Sequence, residues 1–404
     1  MTETEPRRGA RGVRAAAAVS VAGLAVNALG YVVPLLGARI LSPGDVGALG
    51  TVLALGALVG VVGLGVQTAV AVRRAQAGAV RAGKLTAAVA AIAAGGLVAA
   101  TPLIATALDL SAWLPPLLGA MMAAVIVGCR WLGEAQGAQR FPALAVGMVL
   151  SGLARFGGII LGLSLGAGVV GAVAVGAAVA WMTVPVLRRL IGGTRDGRRA
   201  DAGPIRDGGL GRAIVAASSA NLAMLTISYA DLLLARYFLS AADSGTYVVG
   251  AVLTKGALWA PAVVTLIALP RLARGNRRTL PVAALVVAAC GGVLVLASAF
   301  AGELAVRLAG GPAYDGLAGS AWLFALSGAL YALVFLFVNA RIAAGARRPG
   351  LVLWIGALAL VVAVAFLRPP TIDGIITIAV ITAAVMTVIM GILAARRPGG
   401  DAAP

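Results

Sequence analysis

The chain has 404 residues, 61% of them hydrophobic and 11% charged, and a mean hydropathy of +1.02. No water-soluble protein of this size covers that much apolar surface, so the composition excludes a soluble globular domain. The net charge of +18 raises nucleic acid as a partner, and the placement of the charges argues against it.

A membrane-crossing helix needs ~20 apolar residues to span ~30 Å of hydrocarbon. Uncharged runs of that length predict helices at 15–38, 46–72, 85–108 and 110–129. Basic residues before the first run look like a signal peptide, but its 24 uncharged residues exceed the ~7–15 of such a segment. It reads as the first span. The stretch 141–187 carries only Arg155 and is long enough for two crossings, with a turn at 163–168. Beyond a basic segment at 188–212, the stretches 213–238 and 244–270 each hold one deep charge, Asp231 and Lys255. Runs at 279–302, 316–340, 349–367 and 374–395 complete twelve spans. The fold class is therefore all-α, a polytopic membrane protein.

Basic residues fall on alternate connections. Arg7, Arg8, Arg11 and Arg14 precede the first span; Arg73, Arg74, Arg81 and Lys84 follow the second; Arg130 and Arg140 flank the fourth loop. The pattern continues through 188–212, through Arg271 to Arg278, through Arg341 to Arg348, and to Arg396 and Arg397. The opposite connections hold Arg39, Arg236, Arg307 and Arg368. Loops rich in Lys and Arg stay on the cytoplasmic side, which places both termini in the cytoplasm of a cell-membrane protein. The positive charge is then a topology signal and an attraction to anionic membrane lipids. No nucleic-acid partner is expected.

Little supports catalysis. The chain has no histidine, which removes His triads, His metal sites and His general bases. Cys129 and Cys290 lie singly in apolar spans and read as small packing residues. No phosphate-cradling loop is present, and the 55 glycines suit close helix packing. No enzyme activity, metal or cofactor is expected.

The sequence repeats itself. Leu41, Ser42, Asp45 and Gly47 match Leu239, Ser240, Asp243 and Gly245, each 198 residues on, and Val66 with Val264 and Arg73 with Arg271 extend the match. Both copies follow Ala-Arg and sit on outer hairpins. Six spans separate them, so the copies share one orientation and mark parallel repeats. The expected domains are a six-helix lobe at 1–187, a cytoplasmic linker at 188–212 and a second six-helix lobe at 213–404.

The stretches "ARILSPGDVGALGTVLAL" and "YADLLLARYFLSAADSGTYVVGAVLTKGALWAPAVVTLIALPRLA" resemble the polysaccharide flippases of the multidrug/oligosaccharidyl-lipid/polysaccharide exporter superfamily. The resemblance covers nearly the whole chain. It implies a V-shaped transporter with a central cavity that moves lipid-linked sugars to the outer leaflet by alternating access. Asp231 stands where that family often has an Asp before the second hairpin. The chain lacks the two additional spans of some members.

The deep residues give independent support. A charge at the bilayer centre costs ~2.5–3.5 kcal/mol, so it faces a cavity or a partner. Counted from Asp243, Asp231 and Lys255 lie twelve residues to either side, at equal depth on adjacent helices. They fit either a structural ion pair or a pair that switches as Asp231 takes up H+ or Na+. Arg155 reads as a cavity residue whose forked guanidinium suits a diphosphate. Ser20, Asn27, Tyr31 and Pro34 share one face of the first span. Ser218, Asn221, Ser228 and Asp231 line the seventh more broadly. Asn27, Tyr31 and Asn221 join Arg155 and Lys255 as candidate substrate contacts, with helix–helix hydrogen bonding as the other role. Pro34 and Pro261 are candidate bend points. Arg39 and Arg236, at outer helix ends, read as headgroup anchors. Three functions stay open: a lipid-linked oligosaccharide flippase, a cation-coupled multidrug exporter of the same fold, and a non-transporting scaffold.

Overall fold

The computed structural model describes residues 5–77, 82–192, 208–259, 261, 264, 279–344, 350–368 and 371–395. Among the described residues every regular element is helical. In hydrocarbon, only a helix satisfies the backbone of a single segment.

The first six expected spans become α1 (Glu5–Ile40), α2 (Pro43–Ala77), α3 (Gly83–Ala99) with α4 (Thr101–Ala107), α5 (Leu114–Gly137), α6 (Phe141–Gly152) with α7 (Gly158–Ser164), and α8 (Gly168–Gly192). The pair α3 and α4 is one span bent by 51°. The last six become α9 (Gly208–Phe238), α10 (Ala241–Trp259), α11 (Thr279–Phe300), α13 (Ala321–Ala343), α14 (Leu351–Leu367) and α15 (Ile372–Ala395). Between α11 and α13 the chain adds a short helix, α12 (Gly302–Ala309), and a 3-10 segment, Pro312–Ser320. By length and composition, eight helices can cross a membrane, or nine with the bent pair. Most of the basic linker, 193–207, and the loop bearing Arg271 lie outside the described residues.

The chain forms two compact units, one of Met1–Leu36 with Leu55–Ser219, the other of Gly37–Ala54 with Ala220–Pro404. The division differs from the expected one in its detail. The first outer hairpin, 37–54, packs within the second unit, and the start of α9 belongs to the first.

In the first unit α5 packs on α3 and α8, and α8 also packs on α7. Gly133 and Gly137, four residues apart on α5, lie against the α2 backbone. A Cβ on Gly133 would stand 2.5 Å from the Gln67 carbonyl oxygen, and one on Gly137 would overlap that of Ala71. Small residues at this spacing let two backbones meet, the usual basis of helix association in lipid.

In the second unit α13 is central, touching α10, α11 and α15. Tyr331, Val334 and Leu336 are fully buried there, with Met386 and Met390 of α15 filling the gaps between helices. Outside the spans, α12 buries Val306 and turns Leu304 and Leu308 outward. Its Arg307 pairs with Glu303 at 2.5 Å and Asp315 at 2.9 Å. The Asp315 hydrogen bond and charge, then Glu303, hold that guanidinium above its usual range.

The repeated hairpins are built alike. Ser42 Oγ donates to Asp45 Oδ2 at 2.7 Å and accepts from the Asp45 amide at 3.2 Å. Ser240 and Asp243 repeat this at 2.7 and 3.1 Å. Each serine caps its helix and each aspartate sits in the first turn, where the helix dipole favours a negative charge.

Candidate functional site

In the first unit, the span Phe141–Ser164 is broken at its middle by a π-helical turn, Leu153–Gly157, which carries Arg155. Such turns insert an extra residue and re-aim a side chain, and they recur at functional sites. The guanidinium of Arg155 lies over α2 at Gly56 and Gly60. A Cβ on Gly56 would stand 3.4 Å from Nη2, and one on Gly60 3.4 Å from Nη1. Two glycines four apart leave a furrow on α2 that accommodates the charged fork. The Phe156 ring stacks 4.9 Å from the Arg155 guanidinium carbon and presses on Gly30 of α1 at 3.4 Å from a Cβ placed there. Arg155 is thereby brought to the α1 stripe, where Tyr31 is half-buried and Asn27 is exposed. Pro34 lies inside α1 as expected. The furrow was hidden in the sequence because Gly56 and Gly60 are two among many glycines.

In the second unit, Asp231 is 2% exposed and Lys255 9%, but their charges are held separately. Tyr247 donates its hydroxyl to Asp231 Oδ2 at 3.0 Å. Lys255 Nζ donates to the Ser228 carbonyl and sits 3.6 Å from the centre of the Tyr229 ring. Among the described residues no direct Asp231–Lys255 ion pair forms, which corrects the expected pairing. The reason is the position of the turn. The chain reverses at Leu239–Ser240, between the ends of α9 and α10, not at Asp243. Lys255 is then about seven residues, roughly 10 Å, farther from the turn than Asp231. Side chains on a helix lean toward its N-terminus, and the long Lys255 stem leans back only as far as Ser228. Tyr247, at the depth of Asp231, takes the carboxylate. Tyr331 closes the cluster, its hydroxyl donating to the Ile227 carbonyl at 3.3 Å. Asn221 is exposed, ten residues from Asp231 on α9, and stands apart.

The two unlike charges still share one buried neighbourhood, which gives a prediction. Lys255→Met keeps the stem and removes the ammonium, leaving Asp231 buried without its nearby cation. Folded, membrane-inserted protein is expected to fall severalfold, and adding Asp231→Asn should restore it, because removing a whole buried pair is tolerated where removing half is not. Size-exclusion profiles of detergent-extracted protein measure this. An unchanged profile for Lys255→Met alone would show that the charges are uncoupled.

Arg236 also departs from expectation. It is 6% exposed, and its Nη1 donates to Ser244 Oγ at 2.9 Å and to the Gly44 carbonyl at 3.5 Å. It ties the two hairpins together instead of anchoring to headgroups. Arg39 is exposed and reaches the Leu308 carbonyl, at the end of α12, at 3.4 Å. Gly47 and Gly245, both within the repeat, are the points of closest approach. A Cβ on Gly47 would crowd Ser244 Oγ and stand 2.9 Å from Arg236 Nη1, and one on Gly245 would overlap the Pro43 carbonyl.

These features belong to a polytopic helical membrane protein with buried charges held at helix breaks and hairpins. No model of a protein family matches the chain, and no curated protein matches it in sequence. Solved structures do share its fold. An inward-facing multidrug resistance MATE family transporter of the MOP superfamily overlays with a TM-score of 0.71 at 16% identity, covering 93% of this chain and 96% of its own. An inward closed conformation of the lipid II flippase MurJ gives 0.68 at 12% identity, covering 94% and 88%. An outward-facing MATE family transporter of the MOP superfamily gives 0.63 at 18% identity, covering 95% of each. The chain thus has the fold of these exporters, as the resemblance in its hairpins implied, and the proteins that share that fold are transporters, not enzymes.

Proposed function

We propose that this protein flips an anionic lipid-linked oligosaccharide across the cytoplasmic membrane by alternating access. Arg155 carries the reading: a guanidinium held in mid-span by a π-helical turn and a glycine furrow. A planar fork of donors in a low-dielectric setting is the natural counter-charge for a diphosphate. Asn27 and Tyr31, on the helix that Phe156 joins to Arg155, offer polar groups for the sugar, as does Asn221. Asp231, with Tyr247 and Lys255, is the group that takes up H+ or Na+ during the cycle. Fold likeness to a lipid II flippase supports lipid-borne cargo, and likeness to multidrug transporters supports the alternating-access cycle. A multidrug exporter of cations suits the residues less well, because Arg155 and Lys255 outnumber Asp231.

The test is a strain from which the gene has been deleted. Surface polysaccharide should fall, lipid-linked oligosaccharide should accumulate on the inner leaflet, and re-expression should reverse both. Unchanged polysaccharide with heightened sensitivity to cationic drugs would replace the flippase with the exporter.

A further inference from the structure

The first unit carries a second candidate site, away from Arg155, where α8 meets the C-terminal half of α5. A cavity of about 420 Å³ opens there, bordered by Arg130, Trp131 and Glu134 of α5 and by Pro185, Arg188 and Gly192 of α8. That volume is roughly fourteen times the ~30 Å³ share of one liquid water, enough for a headgroup. Its donors are incompletely used by the protein. Trp131 is 7% exposed, and its Nε1–H has no acceptor among the described residues. Arg188 is exposed and has no ion-pair or hydrogen-bond partner among the described residues. Arg130 gives its Nε to Glu134 Oε1 at 3.0 Å, which fixes the guanidinium 5.7 Å from the Trp131 ring. Gly192 keeps the floor open: a Cβ there would stand 3.3 Å from Trp131 Nε1.

We infer that this pocket binds the phosphate of an anionic membrane lipid, with Arg188, Arg130 and the Trp131 N–H as its donors. Two guanidiniums against one carboxylate leave the pocket cationic, and a buried indole N–H left without a partner is costly unless a ligand accepts from it. The apolar side of the pocket selects a lipid over a free anion. From Pro185, α8 continues in an exposed strip of Trp181, Met182 and Val186, along which an acyl chain lies while the phosphate sits at the mouth. Basic pockets between spanning helices at the Lys/Arg-rich end are where acidic headgroups dock. The site is independent of the transported substrate.

The experiment uses the full-length protein purified in mild detergent from membranes containing equal phosphatidylglycerol and phosphatidylcholine. Co-purifying lipid is quantified by mass spectrometry. The parent should retain phosphatidylglycerol in preference to phosphatidylcholine, and a photoactivatable phosphatidylglycerol should crosslink to α5 and α8. Trp131→Phe with Arg188→Ala should reduce that preference at least roughly tenfold, as expected for lost charge-assisted hydrogen bonds. Gly192→Leu, which keeps both arginines and fills the floor, should reduce it as well. Matching melting temperatures show that the variants are folded. An unchanged preference in both variants, or crosslinks confined to other helices, overturns the site. If millimolar inorganic phosphate displaces the retained lipid as well as added phosphatidylglycerol does, the pocket is a free-anion site and the lipid assignment fails.

Discussion

An Arg155→Ala protein is expected to accumulate in the membrane as well as the parent does while moving almost no anionic lipid-linked sugar. A guanidinium in mid-span costs ~2.5–3.5 kcal/mol to insert, so its removal does not harm insertion. The space it leaves lies over Gly56 and Gly60, where no side chain loses a packing partner. The loss falls instead on the cargo. A hydrogen bond to a charged group is worth about 1.5–3 kcal/mol, and two from one fork reduce transfer roughly a hundredfold or more. Arg155→Lys should recover part of this, because an ammonium keeps the charge without the fork. The measurement is surface polysaccharide per unit of membrane-inserted protein in the deletion strain. Normal polysaccharide from Arg155→Ala would remove the residue from the mechanism.

The second large effect is structural. Gly245→Val should collapse the yield of folded protein, and even Gly245→Ala should destabilise it by about 3 kcal/mol or more. The atom in the way belongs to the Pro43 backbone, and Pro43 is the first residue of a helix capped by Ser42 and Asp45, so neither side gives. Gly47→Ala meets the Ser244 hydroxyl and the tip of Arg236, which can swing away, and should cost less. Thermal melting in detergent ranks the two. A milder effect at Gly245 than at Gly47 would mean that the hairpins do not meet as described.

These two sites also show what the sequence disclosed. Span positions were legible because each uncharged run obeys one rule of length. The hairpin caps were legible because Ser-x-x-Asp is a local signal. The Arg155 residue stood out as a charge where none is tolerated cheaply. Its π-helical turn did not, since an inserted residue disturbs a periodicity that an all-apolar span never displays. The burial of Arg236 depends on a partner nearly two hundred residues away, Gly44. Tyr247 was missed, and Lys255 misplaced, through one miscounted turn: a depth argument carries the error of its origin along both helices. The α12 helix was hidden within a stretch read as loop, although Leu304 and Leu308 alternate with Val306 around one short turn of chain.

The meeting of the hairpins has a consequence for ancestry. Gly47 stands against Gly245, and Gly50 against Val248; each contact joins a position to its own counterpart 198 residues on. Contacts of that kind lie on a two-fold axis, as they do where two identical chains associate face to face. A six-helix ancestor that paired with itself would have placed the same residue on both sides of the axis, either two glycines with a void or two valines in collision. Fusion into one chain released that constraint. Gly50 now yields the room that Val248 fills, and Arg236, whose counterpart in the first copy is Ala38, bridges both hairpins from one side alone. Joining the halves allowed an asymmetric fit that no homodimer can possess.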